Sequence, residues 1–242
     1  MPYSYYYGFD WTYLVLVLPC MIFALVASAN VNSTFKRYSK QFSSRRITGA
    51  EAAQRVLSAN GVYGVRIDRV SGNLTDHYDP KTNVIRLSDS VYDSTSTAAI
   101  GVACHEAGHA VQYAESYAPI KLRAAIIPVT NFGSKLAMPL ILLGIFCTFL
   151  GEFSTLLVYL GIAAFGLSFV FQLVTLPVEF NASRRAMQAI ESGNLLTEDE
   201  QRGARKTLTA AAMTYVAATA TALAQLLRLI VLFGNRGGRR RD

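Results

Sequence analysis

The sequence predicts a membrane α+β protein, in which a small sheet and a polar, helix-bearing region are set among apolar spans. Three observations predict it. The chain is 52% hydrophobic, with a mean hydropathy of +0.27 and only 16% charged residues, against about 25% charged in soluble domains. Apolar runs at 11–29, 136–150 and 156–176 contain no Asp, Glu, Lys, Arg or His, and such runs read as membrane spans. Between the first two lies a polar region, from Ile47 to Glu115, with helix caps, turn residues and short alternating segments. Its charge pattern excludes one alternative. The net charge of +7 and a pI near 9.4 could suit a nucleic acid, but the cations flank apolar segments instead of forming one basic face. They therefore indicate topology and contact with an anionic bilayer, and no nucleic-acid partner. The three cysteines, Cys20, Cys104 and Cys147, are scattered through apolar or helical contexts and do not resemble a disulfide framework.

Residues 1–30 form the first predicted part, an amino-terminal transmembrane anchor. The first ten residues are tyrosine-rich and carry no Lys or Arg, so they lack the cationic start of a cleaved signal peptide. Trp11 and Tyr13 sit where an aromatic belt would. Lys36, Arg37, Lys40, Arg45 and Arg46 follow, with no acid until Glu51. That bias places the amino terminus outside and the following region in the cytoplasm.

Residues 31–135 form the second part, a domain expected to face the cytoplasm. Thr48, Gly49, Ala50 and Glu51 make a capping-box pattern that opens a helix running to about Ser58, ended by Asn60 and Gly61. Val62 to Val70 reads as a strand, and Leu74 to Asp79 with Val84 to Leu87 as a hairpin joined through Pro80 to Asn83. Ser94 to Thr97 supply cap candidates for a helix from Ala98 to about Glu115, which stops before Pro119. Residues 136–176 form the third part, a transmembrane hairpin whose first member borrows from residues before Leu136. Its loop lacks cations and so lies outside.

The fourth part, 177–242, begins where Pro177 is expected to break the last span. A polar helix then holds Glu179, Asn181, Ser183, Arg184 and Arg185, and 197–206 reads as a charged turn. The Ala-rich stretch 208–233 is the fourth apolar candidate. Spanning would put Arg236 and Arg239 to Arg241 outside, so a helix packed on the polar domain or lying in the interface is the preferred reading. The count is thus three transmembrane helices, or four if this stretch also crosses.

On the 98–115 helix, His105, Glu106 and His109 occur in the spacing His-Glu-x-x-His. Residues four apart share a helix face, so both imidazoles can reach one metal ion while Glu106 borders the same site. A catalytic zinc takes three protein ligands and leaves a position for water. The third ligand lies between His77, the remaining histidine, and a downstream carboxylate, of which Glu179 is the strongest candidate. Glu179 also has a bland reading, as an interfacial acid paired with Arg184 or Arg185. A small sheet followed by a two-histidine helix is a zincin-like arrangement, in which an edge strand receives extended substrate. Cys104, about 100° around the helix from His105, belongs to the core.

Leu-Thr-Asp-His-Tyr-Asp at 74–79, His-Glu-Ala-Gly-His followed by Gln112, and Leu-Pro-Val-Glu-Phe-Asn-Ala-Ser-Arg-Arg at 176–185 resemble the YugP family of bacterial membrane zinc metallopeptidases. The resemblance covers nearly the whole chain from Ile47 onward. It implies one Zn²⁺ per chain held by His105, His109 and Glu179, with Glu106 catalytic. The layout is also similar to HtpX-like and prenyl-protein gluzincin proteases, whose glutamate is followed four residues later by an aspartate. Ser183 stands at that place here, so a carboxylate orienting a zinc histidine must come from elsewhere. The implied chemistry is peptide-bond hydrolysis of membrane-associated or misfolded polypeptides, with Glu106 moving the water's proton. His77 is the candidate donor to the oxyanion and Tyr78 the second, although a satisfied structural histidine is an equal reading of Asp-His-Tyr-Asp. The expected partners are a polypeptide substrate, the lipid bilayer, and either a membrane protein or further copies of the chain. The rival reading is a membrane scaffold or regulatory module with a structural metal, which would show four protein ligands.

Overall fold

A computed structural model describes residues 10–234 of the 242. The tyrosine-rich start and the arginine tail, including the topology argument drawn from Arg236 to Arg241, lie outside the described residues. The described chain is mostly helical. A π-helical turn, Tyr13–Val17, leads into α1, Leu18–Tyr38, followed by α2, Gly49–Ala59, and the strands β1, Arg66–Val70, β2, His77–Asp79, and β3, Val84–Ser88. Four further helices complete it: α3, Thr97–Ala114; α4, Ala118–Phe146; α5, Glu152–Ser192; and α6, Glu198–Phe233. Four helical stretches, Tyr13–Tyr38, α4, α5 and α6, are long and apolar enough to cross a membrane.

The chain divides into two compact units. The first comprises Met1–Leu25, Ile126–Leu173 and Ala217–Asp242, and the second Val26–Ala125 and Val174–Val216. In the first, a Cβ placed on Gly161 would lie 2.8 Å from the Ala137 carbonyl oxygen, so the missing side chain lets α4 and α5 approach as small residues do between membrane helices. Arg228, in the apolar part of α6, is ion-paired with Asp10 and stacked on Tyr13. An internal partner is what a charge in such a segment requires.

The second unit holds the sheet. Its strand order is β1-β3-β2, with β1 parallel to β3 (Arg66↔Val84) and β2 antiparallel to it (Tyr78↔Ile85), leaving β2 at an edge. The capping box is present: Thr48 Oγ1 accepts from the Glu51 N–H while Glu51 accepts from the Thr48 N–H. Ser96 caps α3 by accepting from the Ala99 N–H. Ile85 and Leu87 of β3, Ala53 and Leu57 of α2, and Ala99, Ala103 and Ala107 of α3 are fully buried in one core cluster. Small residues on α3 allow close packing. A Cβ on Gly108 would come 2.9 Å from the Ala182 carbonyl oxygen of α5, so this glycine fixes the separation of the two helices that carry the candidate ligands.

Two expectations are corrected. Pro177 does not break the helix, because α5 continues from Glu152 to Ser192 with Pro177 inside it. A proline removes one helix hydrogen bond, and packed apolar helices tolerate that loss. The stretch 197–206 is no turn, since all but its first residue lies in α6; the Thr197 N–H donates to Glu200 Oε2 at 3.0 Å and so begins the helix. The stretch 208–233 belongs to one helix, α6, that is long and apolar enough to be the fourth candidate span already allowed for.

Replacing a helical glycine by alanine normally gains up to about 1 kcal/mol. For Gly108→Ala we predict the opposite sign, a loss of about 1–3 kcal/mol from overpacking against backbone, seen as a lower midpoint of thermal unfolding in detergent. Gly166→Ala, whose added Cβ would meet nothing closer than 4.0 Å, should leave the midpoint unchanged or raise it.

Candidate metal centre

The centre lies wholly within the second unit, where α3 and α5 face one another. On α3, His105, Glu106 and His109 lie at one face by their spacing, with Gln112 one turn further. On α5, Val178, Glu179, Asn181, Ala182 and Ser183 cover that face. The Glu179 carboxylate is 3% exposed and the His105 and His109 side chains 14% and 11%.

Glu179 Oε2 is 3.3 Å from His105 Nε2 and 3.5 Å from His109 Nε2, and donor atoms of all three lie within 4.8 Å of one another. Donors held 2.0–2.1 Å from a tetrahedral zinc are separated by about 3.3–3.4 Å, so the two observed spacings fit such an ion. Glu179 Oε2 is buried and makes no aligned hydrogen bond. A carboxylate oxygen left so is costly in a dry site, and a cation among these three donors satisfies it. The other oxygen, Oε1, accepts from Arg123 Nη1 at 3.0 Å.

The histidines are oriented through their other nitrogens. Gln112 Nε2 donates to the Val178 carbonyl at 2.8 Å and to Asn181 Oδ1 at 2.9 Å, which fixes Gln112 Oε1 as the atom 3.0 Å from His109 Nδ1. Oε1 only accepts, so Nδ1 carries the hydrogen and Nε2 is left for a metal. Asn181 is held in turn by Arg185 Nε at 2.8 Å, and Arg185 by Glu115 at 2.7 Å. His105 Nδ1 is 3.1 Å from Ser183 Oγ, so a hydroxyl, and no carboxylate, stands beside this nitrogen from position 183. Burial disfavours charge on His109, but the Glu179 carboxylate and the negative charge of Glu106 outweigh it and raise its pKa above the ordinary value.

Glu106 is 9% exposed, and its Oε2 accepts the Tyr78 backbone N–H of edge strand β2 at 3.0 Å. His77 and the Tyr78 phenol are turned to other partners. His77 is exposed, with Nδ1 2.8 Å from the Thr75 carbonyl, and the Tyr78 hydroxyl donates to Asn83 Oδ1 at 2.7 Å. Neither His77 nor Tyr78 lines the cavity beside the cluster, which is bordered by His105, Glu106, Asp76 and Tyr215. Tyr215, on α6, is hydrogen-bonded to Glu179. Burial pushes the Cys104 thiol up to about 12, consistent with a core residue and unlike the thiolate that a metal ligand requires.

Sequence reasoning missed Arg123 and Tyr215, and it placed Gln112 in the family motif without a role. Gln112 had a signal, because it stands three residues beyond His109 and so reaches the same face. Arg123 and Tyr215 sit in apolar surroundings far along the chain and carried none.

A family model described as "Putative neutral zinc metallopeptidase" matches residues 13–234. The chain is 47% identical over 223 residues to the "Putative membrane protease YugP" of Bacillus subtilis (strain 168), covering 92% of this chain and 97% of that protein. No solved structure matches the chain.

Removing the group that sets the His109 tautomer should weaken metal binding without abolishing the fold. We predict that Gln112→Ala lowers zinc affinity by about 10- to 100-fold, measured by competition with a chromophoric chelator, and that Ser183→Ala lowers it in the same direction.

Proposed function

The chain belongs to the family of neutral zinc metallopeptidases, and from that premise we propose that it is a membrane zinc endopeptidase acting on the cytoplasmic side, on membrane-associated or misfolded polypeptides. The observation that carries this reading is the buried Glu179 oxygen facing two imidazole nitrogens directly beside Glu106. Among the described residues the cluster offers three protein donors, which leaves a position for water. The orientation rests on Lys36, Arg37, Lys40, Arg45 and Arg46 following the first span.

His105, His109 and Glu179 would hold the metal. A bound zinc supplies a Lewis acid that polarises a carbonyl and makes water a nucleophile near neutral pH. The chain's own groups do the rest. Because Glu106 Oε2 is engaged by the Tyr78 N–H, Oε1 is the oxygen that takes the proton of the attacking water and passes it to the departing amine. The Tyr215 hydroxyl, on the cavity wall with His105 and Glu106, donates to Glu179 and so holds the third ligand in place. Edge strand β2 offers its outer side to an extended substrate. A zincin-like fold is the architecture this reading assigns to the sheet and α3.

Glu106→Gln should retain about one zinc per chain, measured by elemental analysis, while cleavage of a denatured protein falls by about 10²- to 10⁴-fold. Tyr215→Phe, which removes the hydroxyl that holds Glu179, should lower zinc affinity by about 10- to 100-fold, read by competition with a chromophoric chelator. For orientation, a cysteine introduced at exposed Ser58, in a chain whose Cys20, Cys104 and Cys147 are replaced by serine, should resist a membrane-impermeant thiol reagent in intact cells and react after lysis; labelling of intact cells would contradict the cytoplasmic assignment.

A further inference from the structure

The geometry points to a specificity pocket: the cavity beside the candidate metal centre takes one large apolar side chain, aliphatic or aromatic, next to the scissile bond of the substrate. This inference rests on the peptidase reading above and names the class of residue at which it cuts.

The cavity has a volume of about 210 Å³. Its apolar wall is built by Val31 of α1, Leu74 of the segment before β2, Val102 of α3, and Leu208 and Ala211 of α6. Val102, His105 and Glu106 stand at helical positions i, i+3 and i+4, which puts the apolar wall and the proton-transferring carboxylate on one face of α3. An apolar cavity of about 150 Å³ is enough to hold benzene, so this one has room for a leucine, methionine or phenylalanine side chain, whereas alanine would leave most of it unfilled. The acid in the wall besides Glu106 is Asp76, and it does not recruit a basic side chain. Its two oxygens accept from the Ser88 N–H at 2.7 Å and the Ser88 hydroxyl at 3.0 Å, and burial raises its pKa above the ordinary value. A lysine or arginine entering the cavity would lose water and find Asp76 already engaged.

The test uses the zinc-loaded full chain in detergent with a proteome-derived peptide library, the cut sites being identified by mass spectrometry. We expect leucine, methionine and phenylalanine to be enriched at one position flanking the cut. A leucine peptide should exceed its alanine counterpart by about 10- to 200-fold in kcat/KM. Ala211 is partly exposed, so a larger side chain there can enter the cavity. Ala211→Phe should bring the leucine-to-alanine ratio close to one, and Val102→Ala should move the optimum toward phenylalanine and tryptophan. If Ala211→Phe does not fold, the shift in Val102→Ala decides alone. Cutting with no apolar enrichment on either side, or a preference unchanged in the folded variants, would overturn the pocket and leave the peptidase reading standing. Absence of any cutting beyond that of Glu106→Gln would instead overturn the peptidase reading, and the pocket with it.

Discussion

A carboxylate buried between two imidazoles is the constraint on which the rest of the second unit depends. Taking an ion out of water costs several kcal/mol, and close, well-placed partners must offset it. Arg123 provides for one oxygen of Glu179, while the other lies 3.3 and 3.5 Å from the two Nε2 atoms. The surrounding sequence reads as the means of holding that geometry. Gly108 lets α5 approach α3, the alanines of α3 pack it against the sheet, and Gln112 and Ser183 each hold one imidazole by its Nδ1.

The same constraint links packing to chemistry. Glu106 lies next to His105 on the same helix, yet it is restrained from a different quarter, by the backbone of the edge strand. The two imidazoles are held from α5, directly by Ser183 and through Gln112 and its α5 partners, and Glu106 is held by β2. The three-donor count matters here too. A closed four-ligand site would hold the fold together but leave no place for water, and Cys104, the nearest soft donor in sequence, is committed to the core.

Much of this was legible in the sequence because it was written in local rules. The capping box at Thr48 and Glu51, the Ser96 cap and the His-Glu-x-x-His spacing all report contacts within a few residues. Glu179 was legible because a carboxylate just beyond an apolar span is conspicuous. Misreadings arose where a local rule met tertiary support. Pro177 reads as a breaker, but packed helices carry α5 through it, and the charged 198–206 stretch reads as a turn although Thr197 and Glu200 cap a helix there. The parallel pairing of β1 with β3 leaves no local trace, since the strand between them in sequence ends up at the far edge. Arg123 and Tyr215 were invisible for the same reason, because their importance lies in what the fold brings to them.

His105, His109 and Glu179 are proposed to form one zinc site open to water. X-ray absorption at the zinc edge of the purified full chain tests it most directly. Two imidazoles with the remaining scatterers at oxygen distances, near 2.0–2.1 Å, is the result the account predicts, with one imidazole fewer in His109→Ala. A sulfur scatterer near 2.3 Å, or a spectrum unchanged in His109→Ala, would contradict it.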